Sequence, residues 1–167
     1  ADIKTPKGIV VEVQHSSMTD SERLSREAFY GNLVWVIDGR PFAENFDIYH
    51  LLPDPTSELA SDLVWSKATR SMQGAARGLF FRISENLQYY PAATKASLQG
   101  GWIHGIHEIE GQVKAAYRGH HQYDWVRPRR TWLDATCPVY IDFGEDHLVK
   151  LEVYDESRLP CVCRVSK

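Results

Sequence analysis

The chain is poor in cysteine, in long apolar runs and in excess basic charge. Its 167 residues include only three cysteines, Cys137, Cys161 and Cys163. Such an odd, sparse set argues against a disulfide scaffold and predicts reduced thiols. No apolar run approaches the roughly 20 residues that a transmembrane helix needs, and the first residues lack the pattern of a signal peptide. We therefore expect a cytoplasmic protein without a membrane partner.

The charge balance is slightly acidic, with 19 basic and 22 acidic residues and a formal net charge of −3. Nonspecific binding of duplex DNA usually depends on a broad basic surface, which this balance does not favour. A local basic track remains, because Arg127, Arg129 and Arg130 lie between Trp125 and Trp132. Cations and ring faces there could contact phosphates and unstacked bases. The alternative is that both tryptophans belong to the core and the arginines are solvated or paired with acids.

The remaining composition, 43% hydrophobic and 25% charged, is typical of a globular protein. There is no internal repeat and no low-complexity tract. We predict a single domain over residues 1–167, with a core in 1–40 and additional strands and helices in 41–167. Strands are expected over 78–83 and in a hairpin around Gly144.

Residues 1–14 have the pattern of a tight β-hairpin. Two strand-like runs, 1–5 and 9–14, flank Pro6-Lys7-Gly8, which has the residues of a three-residue hairpin loop. This loop pairs Asp2 with Glu12, because the loop length fixes the register. Side chains alternate along a strand, so Gln14 shares the face of the two acids. The other face is the apolar one, and its residues are Ile3, Ile9, Val11 and Val13.

The predicted register puts the carboxylates of Asp2 and Glu12 side by side. The Cβ atoms of such partners lie about 4.5 to 5.5 Å apart, where like charges destabilise the pair unless they are neutralised. Mg²⁺ or Mn²⁺ would neutralise them, since Mg²⁺ binds one or two carboxylates together with waters and phosphate oxygens. The alternative is a frayed Asp2 and an exposed Glu12 without a partner.

A helix and a buried strand are predicted after the hairpin. Thr19-Asp20-Ser21-Glu22 has the spacing of a capping box, and Gly31-Asn32 gives a stop signal after Tyr30. The expected buried side of the helix consists of Leu24, Ala28 and Phe29. The apolar run 33–38 predicts a strand that is covered on both faces and parallel to 9–14 through a right-handed crossover.

These motifs resemble a known family. Asp2, then Glu12-x-Gln14 on the next strand, then a helix and a strand, are similar to the core of the PD-(D/E)xK nucleases in the variant where Gln replaces Lys. More narrowly, Val11-Glu12-Val13-Gln14-His15-Ser16 and the run from Leu33 to Gly39 resemble the competence protein CoiA-like nuclease domain. Residues 123–132 and 138–144 resemble later parts of such proteins. The resemblance implies an α/β (α+β) fold with a restriction endonuclease-like core, in which a mixed sheet contains a hairpin, a crossover helix and a parallel strand.

The resemblance also implies roles for individual residues. Asp2 and Glu12 would be ligands of Mg²⁺ or Mn²⁺, the Val13 carbonyl could be a further ligand, and Gln14 would take the position of the lysine that orients water. Because Gln is a neutral amide, it can hold a water or a phosphate oxygen but cannot offset charge. More of the electrostatic stabilisation would then come from the metal.

DNA is the partner that the resemblance implies. Arg127, Arg129 and Arg130 become candidates for contacts with it. His15 is a further candidate because it follows Gln14, although strand alternation places it on the apolar face, where a buried, hydrogen-bonded histidine is expected. The family core normally has a helix and a strand before the first acid, so we expect N-terminal core elements to be missing from this chain.

The spacing of the cysteines and histidines does not favour zinc. Paired zinc ligands are usually separated by two to four residues, whereas one residue separates Cys161 and Cys163. The histidines, at positions 104, 107, 120 and 121 among others, are expected on the surface or in loops.

Two functions follow from these observations. The first is a Mg²⁺-dependent endo- or exodeoxyribonuclease that hydrolyses DNA phosphodiester bonds in DNA uptake, recombination or processing. The alternative is a catalytically inactive nucleic-acid-binding or protein-interaction module that keeps the nuclease fold, which would suit the net acidity and the missing N-terminal elements.

Overall fold

A computed structural model describes residues 2–98 and 100–167. The strands are β1 (Asp2–Lys4), β2 (Val10–Gln14), β3 (Leu33–Asp38), β4 (Phe46–Pro53), β5 (Leu63–Trp65), β6 (Leu79–Arg82), β7 (His104–Gly105), β8 (Tyr117–Trp125), β9 (Val139–Asp142), β10 (His147–Val153) and β11 (Pro160–Ser166). The α-helices are α1 (Asp20–Tyr30), α2 (Glu58–Ser61), α3 (Ile83–Leu87), α4 (Glu110–Ala115) and α5 (Arg130–Leu133). Among the described residues, no helix has the length and apolarity needed to cross a membrane.

The chain forms two compact units. The first contains residues 2–46, 125–151 and 164–167, and the second contains the described residues of 47–124 together with 152–163. The predicted core, residues 1–40, belongs to the first unit as far as the structure describes it.

The first unit is built on a mixed sheet whose strands follow the order β1-β2-β3-β9-β10. Strands β1 and β2 are antiparallel, β2, β3 and β9 are parallel, and β9 and β10 are antiparallel. The predicted hairpin, crossover helix and parallel strand are therefore confirmed, as is the hairpin around Gly144. The mixture of parallel and antiparallel strands with few helices is an α+β arrangement.

The hairpin loop and both ends of helix α1 form as predicted. The Thr5 amide donates to the Ile9 carbonyl (2.8 Å), and Gly8 has a φ of 78°, which glycine adopts at little steric cost. Helix α1 begins after Thr19, whose side chain accepts from the Glu22 amide in a complete capping box. Gly31, with a φ of 66°, ends the helix.

The buried side of α1 differs from the predicted one. Leu24 and Phe29 are exposed by 52% and 81%, Ala28 is also exposed, and Arg23 and Glu27 are buried instead. The physical reason is a set of polar contacts made by Glu27. The Glu27 carboxylate accepts hydrogen bonds from Arg23 and from the indole of Trp35, and these bonds need the charged side of the helix to face the sheet.

The covered face of the hairpin is the one that carries Glu12, and not the apolar one. Val10 and Glu12 are 7% and 2% exposed, whereas Ile3 is 57% exposed and Val11 and Val13 are half-buried. Helix α1 lies on the face that carries Glu12. The predicted register of the hairpin is therefore confirmed, and its acidic face is the one that packs against the helix.

The second unit has two sets of strands. In the first set, the part of β11 that belongs to this unit lies beside β8, and β8 lies beside β4. In the second set, β5, β6 and β7 form a separate sheet in that order. Strand β6 confirms the strand predicted over 78–83. The apolar core of this unit contains Leu52, Ala60, Leu63, Trp65, Phe80, Ile109, Val113, Tyr154, Leu159 and Cys161.

Candidate functional site

The two predicted metal ligands lie opposite each other in the first unit. Asp2 and Glu12 are register partners in the antiparallel pair of β1 and β2. Directly opposed residues project to the same face of a sheet, so both carboxylates are on one side of the hairpin. Gln14 follows on that face two residues later, where β2 ends.

Glu12 is a buried carboxylate with one engaged and one unengaged oxygen. Its Oε1 forms an ion pair with Arg26 of α1. Its Oε2 is buried and has no hydrogen-bond partner among the residues that the structure describes. A buried acceptor without a partner costs about 1 to 3 kcal/mol. Oε2 is therefore the oxygen of Glu12 that the described side chains leave without a partner.

Helix α1 contributes one side chain to each acid. Arg26 pairs with Glu12, and the Tyr30 hydroxyl donates to Asp2 Oδ2 at 3.1 Å. This bond to Asp2 is the main cause that raises the pKa of Tyr30. Residues 26 and 30 are four apart and hence neighbours on the helix surface. Neither is among the predicted site residues, because the side of α1 that faces the sheet does not follow from the apolar pattern of the helix.

Gln14 has a fixed amide. Its Nε2 donates to the backbone carbonyl and to the hydroxyl of Ser16, both at 3.0 Å. Because the NH₂ group makes these bonds, the carbonyl oxygen is the part of Gln14 that can accept from a water molecule. Val13 lies between Glu12 and Gln14 in β2, and its carbonyl stays a predicted ligand.

The parallel strands end in a second pair of acids, which the sequence prediction missed. Asp38 and Asp142 are register partners at the ends of β3 and β9. Arg40 hydrogen bonds to Asp38 and holds the pKa of that carboxyl well below its usual range. Lys167 donates to Asp142 at 2.9 Å and lowers its pKa. Both acids are therefore already balanced by cations.

His15 lies beside this second pair and not in the core. Its Nδ1 is 3.7 Å from Asp38 Oδ2, and its side chain is 68% exposed. The expectation of a buried histidine is wrong because β2 ends at Gln14, so strand alternation no longer applies to the next residue. Its exposure suits the predicted role in binding nucleic acid.

The arginine track is partly as predicted. Arg127 and Arg130 are exposed, and the Arg129 guanidinium lies 4.9 Å above the ring of Phe42. The two tryptophans are core residues, since Trp125 and Trp132 are only 6% and 4% exposed. The proposal that their rings stack on bases is wrong, and the alternative of core tryptophans is confirmed.

Two hydrogen bonds join this track to the start of α1 and the loop before it. The Thr131 hydroxyl donates to Asp20 Oδ1 at 2.7 Å and to the Met18 carbonyl at 3.4 Å. Asp20 begins α1, and Met18 belongs to the loop that leaves β2 after Gln14. The start of α5, which carries Arg130, is thereby held next to the start of α1.

The residues present fit a hard divalent cation. The hairpin offers a buried, unpartnered oxygen of Glu12 and an exposed carboxylate of Asp2, and Mg²⁺ prefers oxygen ligands of this type. Arg26 neutralises Glu12 in the absence of an ion. A cation and the guanidinium would therefore compete for the same carboxylate.

Comparison with protein-family profiles, with curated proteins and with solved structures gives no match for this chain. Inferences about its function consequently depend on the residues of the site.

Proposed function

We propose that this chain is a divalent-metal-dependent nuclease with a CoiA-like, restriction endonuclease-like core. Its substrate would be DNA in uptake, recombination or processing. The observation that carries the proposal is the buried, unpartnered Oε2 of Glu12 directly across the hairpin from Asp2. The order of hairpin, helix and parallel strand around these acids supports it.

The chain's residues divide into metal-holding and substrate-orienting groups. Asp2 and Glu12 would hold Mg²⁺ or Mn²⁺, with the Val13 carbonyl as a further ligand. When bound, such an ion lowers the pKa of water and neutralises charge on the scissile phosphate. Gln14 accepts a hydrogen bond from the attacking water through the amide oxygen that Ser16 leaves accessible, and so orients it.

The arginines bind the charged backbone of the substrate. Arg26 is 44% exposed, so on leaving Glu12 it can donate to a phosphate oxygen. Arg127, Arg129 and Arg130 contact phosphates further along the strand and fix its position. This division assigns DNA binding to a few arginines of the first unit in a chain of net negative charge.

One observation favours the second function, an inactive nucleic-acid-binding or protein-interaction module. The Arg26–Glu12 ion pair already neutralises the buried acid. If this pair persists in the presence of Mg²⁺, the hairpin is a structural element and the arginines bind DNA without cleaving it.

Cleavage assays distinguish the two functions. Purified chain is incubated with single-stranded, linear duplex and branched DNA in Mg²⁺, Mn²⁺ or EDTA. The nuclease proposal predicts metal-dependent cleavage that falls by at least about 100-fold in Glu12→Gln and in Asp2→Asn, because each substitution removes a charged metal ligand.

The matched control is Glu156→Gln, which neutralises an exposed acid of the second unit. It should cleave like the parent chain, and circular dichroism should show that all variants are folded. DNA binding without cleavage of any substrate in either metal would instead establish the inactive module.

A further inference from the structure

The second unit contains a histidine, a glutamate and a cysteine that come from three different strands and lie close together. His120 on β8 and Cys163 on β11 are register partners, and Glu152 comes from β10. One potential ligand atom from each residue lies within 4.8 Å of the other two. The separation of these residues along the chain hides this arrangement from any search for paired zinc ligands.

The cluster is largely shielded from solvent. The side chains of His120 and Glu152 are 12% and 24% exposed, and Cys163 is 8% exposed. His120 Nε2 lies 3.0 Å from Glu152 Oε2, and Cys163 Sγ lies 3.8 Å from the Arg118 carbonyl oxygen. These contacts hold the three side chains in one place before any ion binds.

One ring nitrogen of His120 lacks a hydrogen-bond partner among the described residues. Its Nδ1 is buried and has no hydrogen-bond partner within residues 2–98 and 100–167. Polar atoms left in this state are uncommon in folded proteins. For Zn²⁺ to bind Nε2, which faces Glu152 Oε2, the imidazole proton moves to Nδ1, and the carboxylate exchanges its contact with Nε2 for a bond to the ion.

The donor set is the one that Zn²⁺ uses. Zinc binds imidazole nitrogen at about 2.0 to 2.1 Å, carboxylate oxygen at about 2.0 to 2.2 Å and thiolate sulfur at about 2.3 Å, in tetrahedral geometry. Tetrahedral bonds of these lengths separate neighbouring ligand atoms by roughly 3.3 to 3.8 Å. Side-chain shifts of about 1 Å would bring the cluster to that spacing.

We propose that His120, Glu152 and Cys163 bind one Zn²⁺ ion, with water as the fourth ligand. The Zn–S bond forms as the Cys163 thiol releases its proton to solvent, and no electron is transferred. This site is independent of the proposed nuclease centre, because it uses other residues in the other unit and a softer ion.

Metal analysis of the purified full chain tests the proposal. After treatment with chelator and addition of Zn²⁺, we expect one zinc per chain by mass spectrometry of the digested protein. Replacement of Zn²⁺ by Co²⁺ should give the visible bands of tetrahedral cobalt and a thiolate-to-cobalt charge-transfer band. A chain that takes up no zinc, or a cobalt spectrum without the charge-transfer band, would overturn the assignment.

Variants identify the ligands. Cys163→Ser and His120→Ala should each weaken Zn²⁺ binding by more than about 100-fold, since even outer residues of metal sites contribute 10- to 100-fold. Cys137→Ser, in the first unit, is the matched control and should bind zinc like the parent chain. Retention of full zinc affinity by Cys163→Ser would refute the proposal.

Alkylation keeps the test decisive if a variant fails to fold. In the unaltered chain, Zn²⁺ should slow the reaction of Cys163 with iodoacetamide but leave the rate at Cys137 unchanged. Equal rates with and without Zn²⁺ at Cys163 would contradict the site. Glu12→Gln should leave zinc binding intact even if it abolishes DNA cleavage.

Discussion

At the scale of single residues, the candidate nuclease centre depends on how Glu12 is neutralised. Its carboxylate is 2% exposed and shares one oxygen with Arg26. A buried charge is tolerated when it is paired, and removal of one partner leaves an uncompensated charge. The ion pair and a bound cation are thus alternative ways to satisfy the same acid.

This alternative makes Arg26→Ala informative. Because Arg26 is partly exposed, we expect its loss to lower the free energy of unfolding by about 1 to 3 kcal/mol in EDTA, less than for a fully buried pair. Mg²⁺ should then stabilise the variant more than the parent chain, since the ion no longer displaces a guanidinium. Thermal unfolding at several Mg²⁺ concentrations measures both effects.

Arg26→Lys is the conservative control for this experiment and should behave like the parent chain. If Mg²⁺ shifts the melting temperature of Arg26→Ala and of the parent chain equally, the ion does not bind at Glu12.

Only some of the side-chain contacts at these sites could be predicted from the sequence. The pairing of Asp2 with Glu12 follows from a three-residue loop, so it could be predicted. The partners Arg26 and Tyr30 could not be assigned with the same ease, because they depend on how helix α1 rotates over the sheet. The pairing of His120 with Cys163 depends on two strands that are far apart along the chain, which no local pattern encodes.

At the scale of elements, the hairpin and the ends of α1 were predictable because loop and capping signals act within a few residues. The face of α1 was not. An apolar stripe normally faces the core, yet Leu24 and Phe29 are exposed and Glu27 is buried. The sheet below offers the indole N–H of Trp35 and the carboxylate of Glu12. On the helix, Glu27 accepts from the indole and Arg26 pairs with one oxygen of Glu12.

Glu27 joins α1 to the segment before β9. Besides Trp35, the Thr136 hydroxyl donates to its carboxylate at 2.8 Å, and Arg23 donates at 2.7 Å. Burial pushes the pKa of Glu27 upwards, but the hydrogen bonds from Thr136 and Trp35 and the charge of Arg23 outweigh it and hold the pKa below its ordinary value of 4.5.

The direction of this shift fixes how stability depends on pH. A folded-state pKa below the unfolded value stabilises the fold above about pH 4.5, and this contribution disappears as the pH falls through the folded pKa. We expect Glu27→Gln to cost about 2 to 4 kcal/mol near pH 7, because an amide cannot accept all of these bonds. The cost should shrink on acidification.

Urea unfolding of the parent chain and Glu27→Gln between pH 3 and pH 7 tests this prediction. Glu145→Gln, which alters an exposed acid of the same unit, should show little change at any pH. A difference between parent and Glu27→Gln that stays constant with pH would show that the lost contribution is packing and not charge.

At the scale of the whole molecule, the net charge of −3 must be reconciled with a DNA substrate. Long-range attraction between the chain and DNA is weak when acids outnumber bases. Binding then depends on a few placed cations. Arg127, Arg129 and Arg130 meet this need, since Thr131 fixes their segment beside the start of α1.

A local track has a measurable signature in salt. Each phosphate contact lowers the logarithm of affinity by about 0.7 per tenfold rise in salt for single-stranded DNA. Three arginine contacts predict a slope of about −2, and Arg130→Ala should reduce its size by about 0.7. Fluorescence anisotropy with a labelled single-stranded oligonucleotide in EDTA, where cleavage is not expected, measures the slope.

Arg118→Ala removes the same charge from the second unit and should leave the slope unchanged. Equal loss in both variants would mean that diffuse charge, and not this track, binds DNA.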